Sequence, residues 1–117
     1  MSDLVYYGSG TAGFGAGQAV VSSGAITAGI YRATVVTSLT GTVTSVDANN
    51  LNLQVNATSI GALVQTPVVN TAYTNPTISI DVPASGTVTV STAGTPSATA
   101  VYHAQLILSP IALYDNG

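Results

Sequence analysis

The chain has 117 residues, of which one is an arginine, none is a lysine and four are acidic, so its net charge is −3. With no basic surface, it lacks the electrostatic footprint by which proteins bind nucleic acids or anionic membranes. It contains no cysteine, which excludes disulfide bonds and thiolate metal sites.

The near-absence of charge is the most informative property of the composition. Charged residues make up 4% of the chain, whereas about a quarter of the residues of an ordinary globular domain are charged. Hydroxyls, amides and glycine must therefore cover the surface that faces water, and such a surface suits a protein whose faces contact other protein molecules. The length fits one domain, and no window approaches the roughly 20 apolar residues of a transmembrane helix.

Residues 1–17 predict a flexible arm that is separate from the domain after it. Glycine recurs at almost every second position between 8 and 17, and at this density it costs an isolated helix or strand too much backbone entropy. Three aromatic residues place large apolar groups on the arm: Tyr6, Tyr7 and Phe14. They can anchor the arm on a partner, so that it orders on binding. The alternative is a frayed terminus.

From residue 18 onward the pattern indicates β-strands. A short strand is predicted at 18–22. A strong one follows at 29–39. Both of its faces are partly apolar, which suggests a strand that is covered on both sides. Segments 42–46 and 51–55 are predicted to form a hairpin around a turn at 47–50.

The second half of the chain continues this pattern. Residues 59–69 are ambiguous between a helical turn and a short strand with a bend. Segments 77–82 and 87–91 are predicted to pair as a hairpin. The longest strand is expected at 98–108 and ends at Pro110, which is followed by a short strand or tail.

Seven or eight strands at roughly 8–12-residue spacing, with no long helix, predict an all-β fold. We expect residues 18–117 to form a single-domain antiparallel β-sandwich with jelly-roll-like order. An immunoglobulin-like Greek key is the alternative, because the order of the strands in the sheets does not follow from the sequence.

No motif in the sequence points to catalysis. The single histidine, His103, falls in the middle of a predicted strand, and no serine lies in a Gly-x-Ser-x-Gly elbow. Each aspartate lies in or beside a predicted turn, where its carboxylate commonly bonds its own backbone. The turn at 47–50 carries oxygen ligands that suit calcium, but the turn interpretation is favoured. We therefore expect a protein that is not an enzyme and needs no cofactor or metal.

Assembly is the predicted role of the strand-rich surface. Charges commonly protect exposed strand edges from pairing with other chains, and this chain has almost none, so a partner or symmetry is expected to cover them. Tyrosine offers a large rigid contact with a hydroxyl. The expected anchors of a subunit interface are four tyrosines: Tyr31, Tyr73, Tyr102 and Tyr114. Arg32 is expected to pair with an aspartate at that interface or within the subunit, or to be a solvated strand residue.

The chain resembles small virion proteins of tailed bacteriophages, in particular capsid decoration (cement) proteins and head-fibre bases. The resemblance is one of overall style. Its carriers are a start without a signal peptide, a Thr/Val-rich β body without cysteine, and the arm Tyr6-Tyr7-Gly8-Ser9-Gly10-Thr11-Ala12-Gly13-Phe14. It implies a homotrimer that binds the major capsid protein of an assembled shell through the N-terminal arm and stabilises the shell.

Two other functions and one other location stay open. The chain could be a fibre-tip or adhesin module that recognises surface glycans, for which Tyr73-Thr74-Asn75 is the candidate, or a subunit of a filament or surface layer. If Met1 is the native start, the chain is made in the cytoplasm and leaves it in a virion. The alternative is a secreted protein whose signal peptide has been removed.

Overall fold

The computed structural model describes residues 3–11, 19–42, 51–63, 72–92 and 99–114. These residues form nine strands: β1 (Leu4–Thr11), β2 (Ala19–Ile26), β3 (Gly29–Thr42), β4 (Leu51–Val55), β5 (Thr58–Leu63), β6 (Tyr73–Thr74), β7 (Ile78–Val82), β8 (Gly86–Thr92) and β9 (Thr99–Leu113). Within these ranges there is no helix with the length and hydrophobicity needed to cross a bilayer.

Two antiparallel sheets pack face to face, which confirms the predicted β-sandwich. One sheet has the order β1-β9-β3, with both β6 and β7 on the far side of β3, and the other has the order β2-β8-β4-β5. The pairs are nested along the chain: β4 with β5, β3 with β7, β2 with β8 and β1 with β9. First-with-last nesting across two sheets is the winding of a jelly roll, the first of the two predicted topologies.

The core lies between the sheets and is lined by alternate residues of the long strands. Along residues 29–40 of β3 and 101–108 of β9 every second residue is buried, and those between them are half-buried or exposed on the outer face. The same alternation places Leu51, Leu53 and Val55 of β4 in the core. Because side chains alternate across a strand, the apolar faces at 51–55 and 102–108 are the core faces. The sequence predicts that the segment 29–39 is covered on both sides, but only one of its faces is buried and the other is half-buried or exposed.

β1 corrects the predicted boundary at residue 17, since Leu4–Thr11 are an integral strand and not part of a separate arm. They pair with β9 over eight consecutive positions, and Leu4 and Tyr6 pack against the core. Gly8 makes this possible, because a Cβ there would overlap the carbonyl oxygen of Val20 on β2. Phe14 lies outside the described residues.

Neither predicted hairpin is present in the described residues. β4 pairs with β5 and β8, Thr42 ends β3, and residues 43–46 lie outside the described residues. β7 and β8 are joined by a turn at Pro83–Gly86, closed by a bond from the Gly86 amide to the Pro83 carbonyl, but they belong to opposite sheets. Sequence alternation identifies strands and turns, but not which sheet the next strand joins.

β9 also continues through Pro110 to Leu113. Tyr31 pairs with Pro110 and Ile30 with Ala112, so Ile111 is an extra residue in a bulge. Proline lacks an amide hydrogen and is tolerated in sheets at bulges. The bulge therefore replaces the strand end that Pro110 predicts.

Replacing Gly8 with alanine tests the close approach of β1 and β2. We expect Gly8→Ala to lower the free energy of unfolding by about 1–3 kcal/mol, because the new methyl group meets rigid backbone. Gly61→Ala is the matched control, since its Cβ would lie 3.1 Å from the flexible end of the Ile78 side chain, which can move. Urea denaturation of both variants measures the difference, and equal losses would contradict the assignment.

The buried phenol of Tyr31 makes the stability of the fold sensitive to pH in the alkaline range. Its side chain is 1% exposed and its hydroxyl donates to the Thr27 carbonyl. Burial, with a smaller effect of Tyr6, raises the pKa of the Tyr31 phenol above its ordinary value. The phenol therefore stays protonated in the folded chain at a pH where it ionises in the unfolded chain, and unfolding releases a proton.

We expect the free energy of unfolding to be insensitive to this group below about pH 10 and to fall as the pH rises above that value. Tyr31→Phe should cost about 1 kcal/mol at neutral pH through the lost hydrogen bond and should lose less stability than the parent at high pH. Urea titrations between about pH 8 and pH 11 compare the two proteins. Parallel stability curves would overturn the prediction.

Candidate functional site

The outer face of the five-stranded sheet carries a stretch without charged side chains. On β1, β9 and β3 the residues that alternate with the core residues face outward, and from Val5 to Ser9, from Val101 to Ile107 and from Thr34 to Thr40 none of them is Asp, Glu, Lys or Arg. This stretch holds the candidate site.

Two parallel rows of side chains cross the three strands there. In the first row, Gln105 of β9 lies between Tyr7 of β1 and Val36 of β3. In the second row, His103 lies between Ser9 and Ser38. The rows are two residues apart along each strand, which is about 7 Å.

A cleft of about 360 Å³ runs between the rows. The strand segments at Gly8, Ala104 and Thr37 separate the rows, so their backbone forms its floor, and Ala72, which precedes β6, also lines it. The residues that line it include no Asp, Glu, Lys or Arg. It is therefore a small, open depression without a fixed charge.

The His103 ring is held on both sides by hydroxyl groups. Its Nδ1 is 2.8 Å from Ser9 Oγ and its Nε2 is 2.8 Å from Thr40 Oγ1. A neutral imidazole has one N–H donor and one acceptor nitrogen, so one hydroxyl accepts from the ring while the other donates to it. The ring therefore bridges the edge strand β1 to β3 across β9.

The first row contains the most exposed aromatic side chain in the described part of the chain. Tyr7 is 75% exposed, and Gln105 Nε2 donates a hydrogen bond of 2.9 Å to its hydroxyl. This bond restrains a ring that otherwise faces water. The side-chain carbonyl of Gln105 remains available as an acceptor.

A serine next to a histidine supplies two of the three groups of a hydrolase triad, but the third position here holds the Thr40 hydroxyl. A hydroxyl cannot stabilise the imidazolium as a buried carboxylate does. The described residues also contain no group of three or more His, Cys, Asp or Glu side chains that could hold a metal ion. The arrangement is suited to hydrogen bonding with a neutral polar ligand.

Two of the predicted interface anchors are wrong. Tyr31 is 1% exposed and Tyr102 is 0% exposed, and both belong to the core cluster of this chain. A side chain inside its own sandwich cannot contact a second subunit in this fold. The alternation that identifies an apolar face does not say whether the chain's own second sheet or a partner covers it.

The remaining predicted residues differ in exposure. Tyr6 is half-buried, and Arg32 is exposed between Ser79 and Ser109 of the neighbouring strands. Tyr73 pairs with Thr37 in the short strand β6. The adjacent Asn75, part of the glycan candidate at 73–75, is buried, and its amide nitrogens donate to the Val35 carbonyl.

Tyr114 is one of three partly exposed apolar residues at the end of β9. We call Ile111, Leu113 and Tyr114, each between 38% and 44% exposed, the terminal patch. The Tyr114 hydroxyl donates to Asp81 Oδ1 over 2.9 Å, and its amide donates to the Ala28 carbonyl. The bond to the Asp81 carboxylate is the main reason why the pKa of Tyr114 is raised, and it restrains the ring at the surface.

Sequence reasoning missed Ser9, Ser38, Thr40 and Gln105 as site residues. Their partners are distant in the sequence: Ser9 and His103 are 94 residues apart, and Thr40 and His103 are 63 apart. The sequence places His103 and Gln105 on one face of the predicted strand at 98–108, but it does not identify the strands on either side.

Comparison of the chain with known protein families gives no match to a family model. A search of curated proteins likewise finds no matching sequence. The functional inference therefore rests on the fold and on the geometry of its surface.

Two substitutions test the bridge at His103 by driving its proton to opposite nitrogens. Ser9→Ala leaves Nδ1 without its hydroxyl, so the neutral ring should carry its proton on Nε2 and donate to Thr40. Thr40→Val should place the proton on Nδ1, where it donates to Ser9. Nitrogen-15 chemical shifts of the ring report the tautomer directly, and the same tautomer in both variants would refute the bridge.

Proposed function

We propose that this protein is a structural virion protein that binds an assembled capsid shell as a homotrimeric decoration protein and stabilises it. The observation that carries the proposal is the terminal patch, an exposed apolar surface on a chain with a single fixed cation. The jelly-roll order adds support by analogy of fold, because capsid proteins use this architecture, as do lectin domains and cupins.

The terminal patch has the properties of a contact surface. Three large apolar side chains lie close together along the chain and are partly exposed to water. The Tyr114 ring is restrained by Asp81, so little conformational entropy is lost when a neighbouring molecule covers it. Tyrosine is enriched among the residues that dominate the binding energy of interfaces. We therefore place the contacts between copies at this patch.

The predicted gripping arm needs revision in this mechanism. Tyr6 packs against the core, so it is not available to a shell subunit. Deleting residues 1–17 would remove the strand β1 and would not test a tether.

The proposed mechanism is passive. A protein that binds the assembled shell but not its free subunits stabilises the shell by mass action. Many copies around one particle add their contacts, so that modest individual interfaces can resist expansion or rupture. This role needs no catalytic group.

A charge in the terminal patch tests the subunit contact. We expect the parent protein to form a trimer of 11.6 kDa subunits and Leu113→Asp to shift it to monomers, because a carboxylate loses hydration in an apolar interface. Ile60→Asp is the matched control, since Ile60 is 41% exposed against 38% for Leu113 but lies in the other sheet. Size-exclusion chromatography with light scattering gives the masses, and circular dichroism verifies folding.

A parent that stays monomeric at high concentration would overturn the trimer, and a mass that grows with concentration would indicate an open filament instead.

The virion role is tested by a separate measurement. Mass spectrometry of gradient-purified particles of the virus that encodes the chain should find it at a fixed ratio to the major capsid protein. Its absence from those particles would refute the virion role.

A further inference from the structure

We propose that the cleft between the Tyr7 and His103 rows is a binding site for a neutral saccharide. This site lies away from the terminal patch and is a second activity beyond shell stabilisation. Along β9, Gln105 and Leu113 are eight residues apart, or about 26 Å. A molecule held through the terminal patch can thus leave the cleft open.

The charge of the cleft selects the class of ligand. Its lining includes no carboxylate, ammonium or guanidinium group, so it holds no fixed charge to pair with a phosphate, a sulfate or a cation. The sole arginine, Arg32, lies four residues before Val36 on β3, which is about 13 Å along the strand. A ligand of this cleft gains from hydrogen bonds and apolar contact, which a neutral polyhydroxylated molecule provides together.

Tyr7 supplies the apolar contact. A sugar ring has faces of C–H groups that can pack on an aromatic ring, while its hydroxyl groups point outward around the edge. Tyr7 is 75% exposed, and the hydrogen bond from Gln105 restrains it before a ligand arrives. Restraint in advance reduces the entropy lost on binding.

The hydrogen-bonding groups of the cleft can adapt to sugar hydroxyls, which both donate and accept. The Gln105 side-chain carbonyl accepts. Ser9 presents a free O–H donor when His103 donates to it, and it presents acceptor lone pairs when it donates to His103. Exchange of the imidazole proton between the Ser9 and Thr40 sides therefore switches what Ser9 offers to a ligand.

The size of the cleft agrees with a small ligand. Ligand sites typically have volumes of about 300–1,000 Å³, and this one has about 360 Å³. One or two sugar rings suit this space. An open cleft with one aromatic contact predicts a weak single-site affinity, with a dissociation constant on the order of millimolar.

The test begins with the purified parent protein on an array of neutral and sialylated glycans. Saturation-transfer NMR titrations with the methyl glycosides of the best neutral binders then give dissociation constants, with the methyl glycoside of sialic acid as the charged comparator. We expect binding to at least one neutral saccharide and weaker binding to the charged comparator. Silence toward all neutral saccharides would overturn the proposal.

Two substitutions at one position locate the site. Tyr7→Ala should weaken binding about tenfold or more, because the aromatic contact is lost. Tyr7→Phe keeps the ring and should stay within a few-fold of the parent. Ile60→Ala, the truncation of an exposed side chain in the other sheet, is the control and should leave the affinity unchanged. Saccharide binding that survives Tyr7→Ala in a folded protein would refute this site.

The saccharide proposal and the shell proposal can be tested independently of each other. Leu113→Asp changes the association of subunits without touching the cleft, and Tyr7→Ala changes the cleft without touching the terminal patch. A monomeric Leu113→Asp variant that still binds the neutral glycoside with the parent's single-site affinity supports a site contained within one chain. Loss of binding in that folded monomer would contradict it.

Discussion

The antiparallel ladder between β3 and β9 is the constraint on which the rest of the structure depends. It pairs Gly29–Thr42 with Thr99–Leu113 at the centre of its sheet. Because side chains alternate along each strand, this one register sends Tyr31 and Tyr102 into the core and His103 and Gln105 to the outer face. A slip of one residue would exchange the two sets. The core and the cleft therefore lie on opposite faces of the same pair of strands.

The ladder's one irregularity produces the other candidate surface. The bulge next to Tyr31 leaves Ile111 outside the regular pairing, and the patch begins at this residue. At the edge strand of the same sheet, Gly8 lets β1 lie directly against β2 of the facing sheet. The sheet thus packs closely against its partner at β1 and leaves apolar side chains exposed at the end of β9.

Local patterns predicted the class of fold and most of the strands, because alternation at 29–39, 51–55 and 98–108 is a property of each segment alone. They failed at Leu4–Thr11, where glycine density suggested an arm. The stability of β1 comes from eight pairings with β9 and from its approach to Val20, which are tertiary contacts. The cleft could not be predicted for the same reason, since Ser9, His103 and Thr40 come together only in the folded sheet. The burial of Tyr31 and Tyr102 could not be predicted either, because the sequence does not say whether the second sheet of the same chain or a partner covers their face.

The two proposed activities are physically compatible because they use different consequences of the same charge-poor composition. At the terminal patch, few charges need to be desolvated when protein meets protein. At the cleft, the absence of charge leaves hydrogen bonding and ring packing as the means of recognition. A single weak saccharide site gains strength when many copies share one particle, since linked sites raise the effective concentration of ligand at each neighbour. An array of decoration subunits would convert millimolar single-site binding into tight attachment. Assembly through the terminal patch would therefore determine how strongly a particle binds saccharides through its clefts.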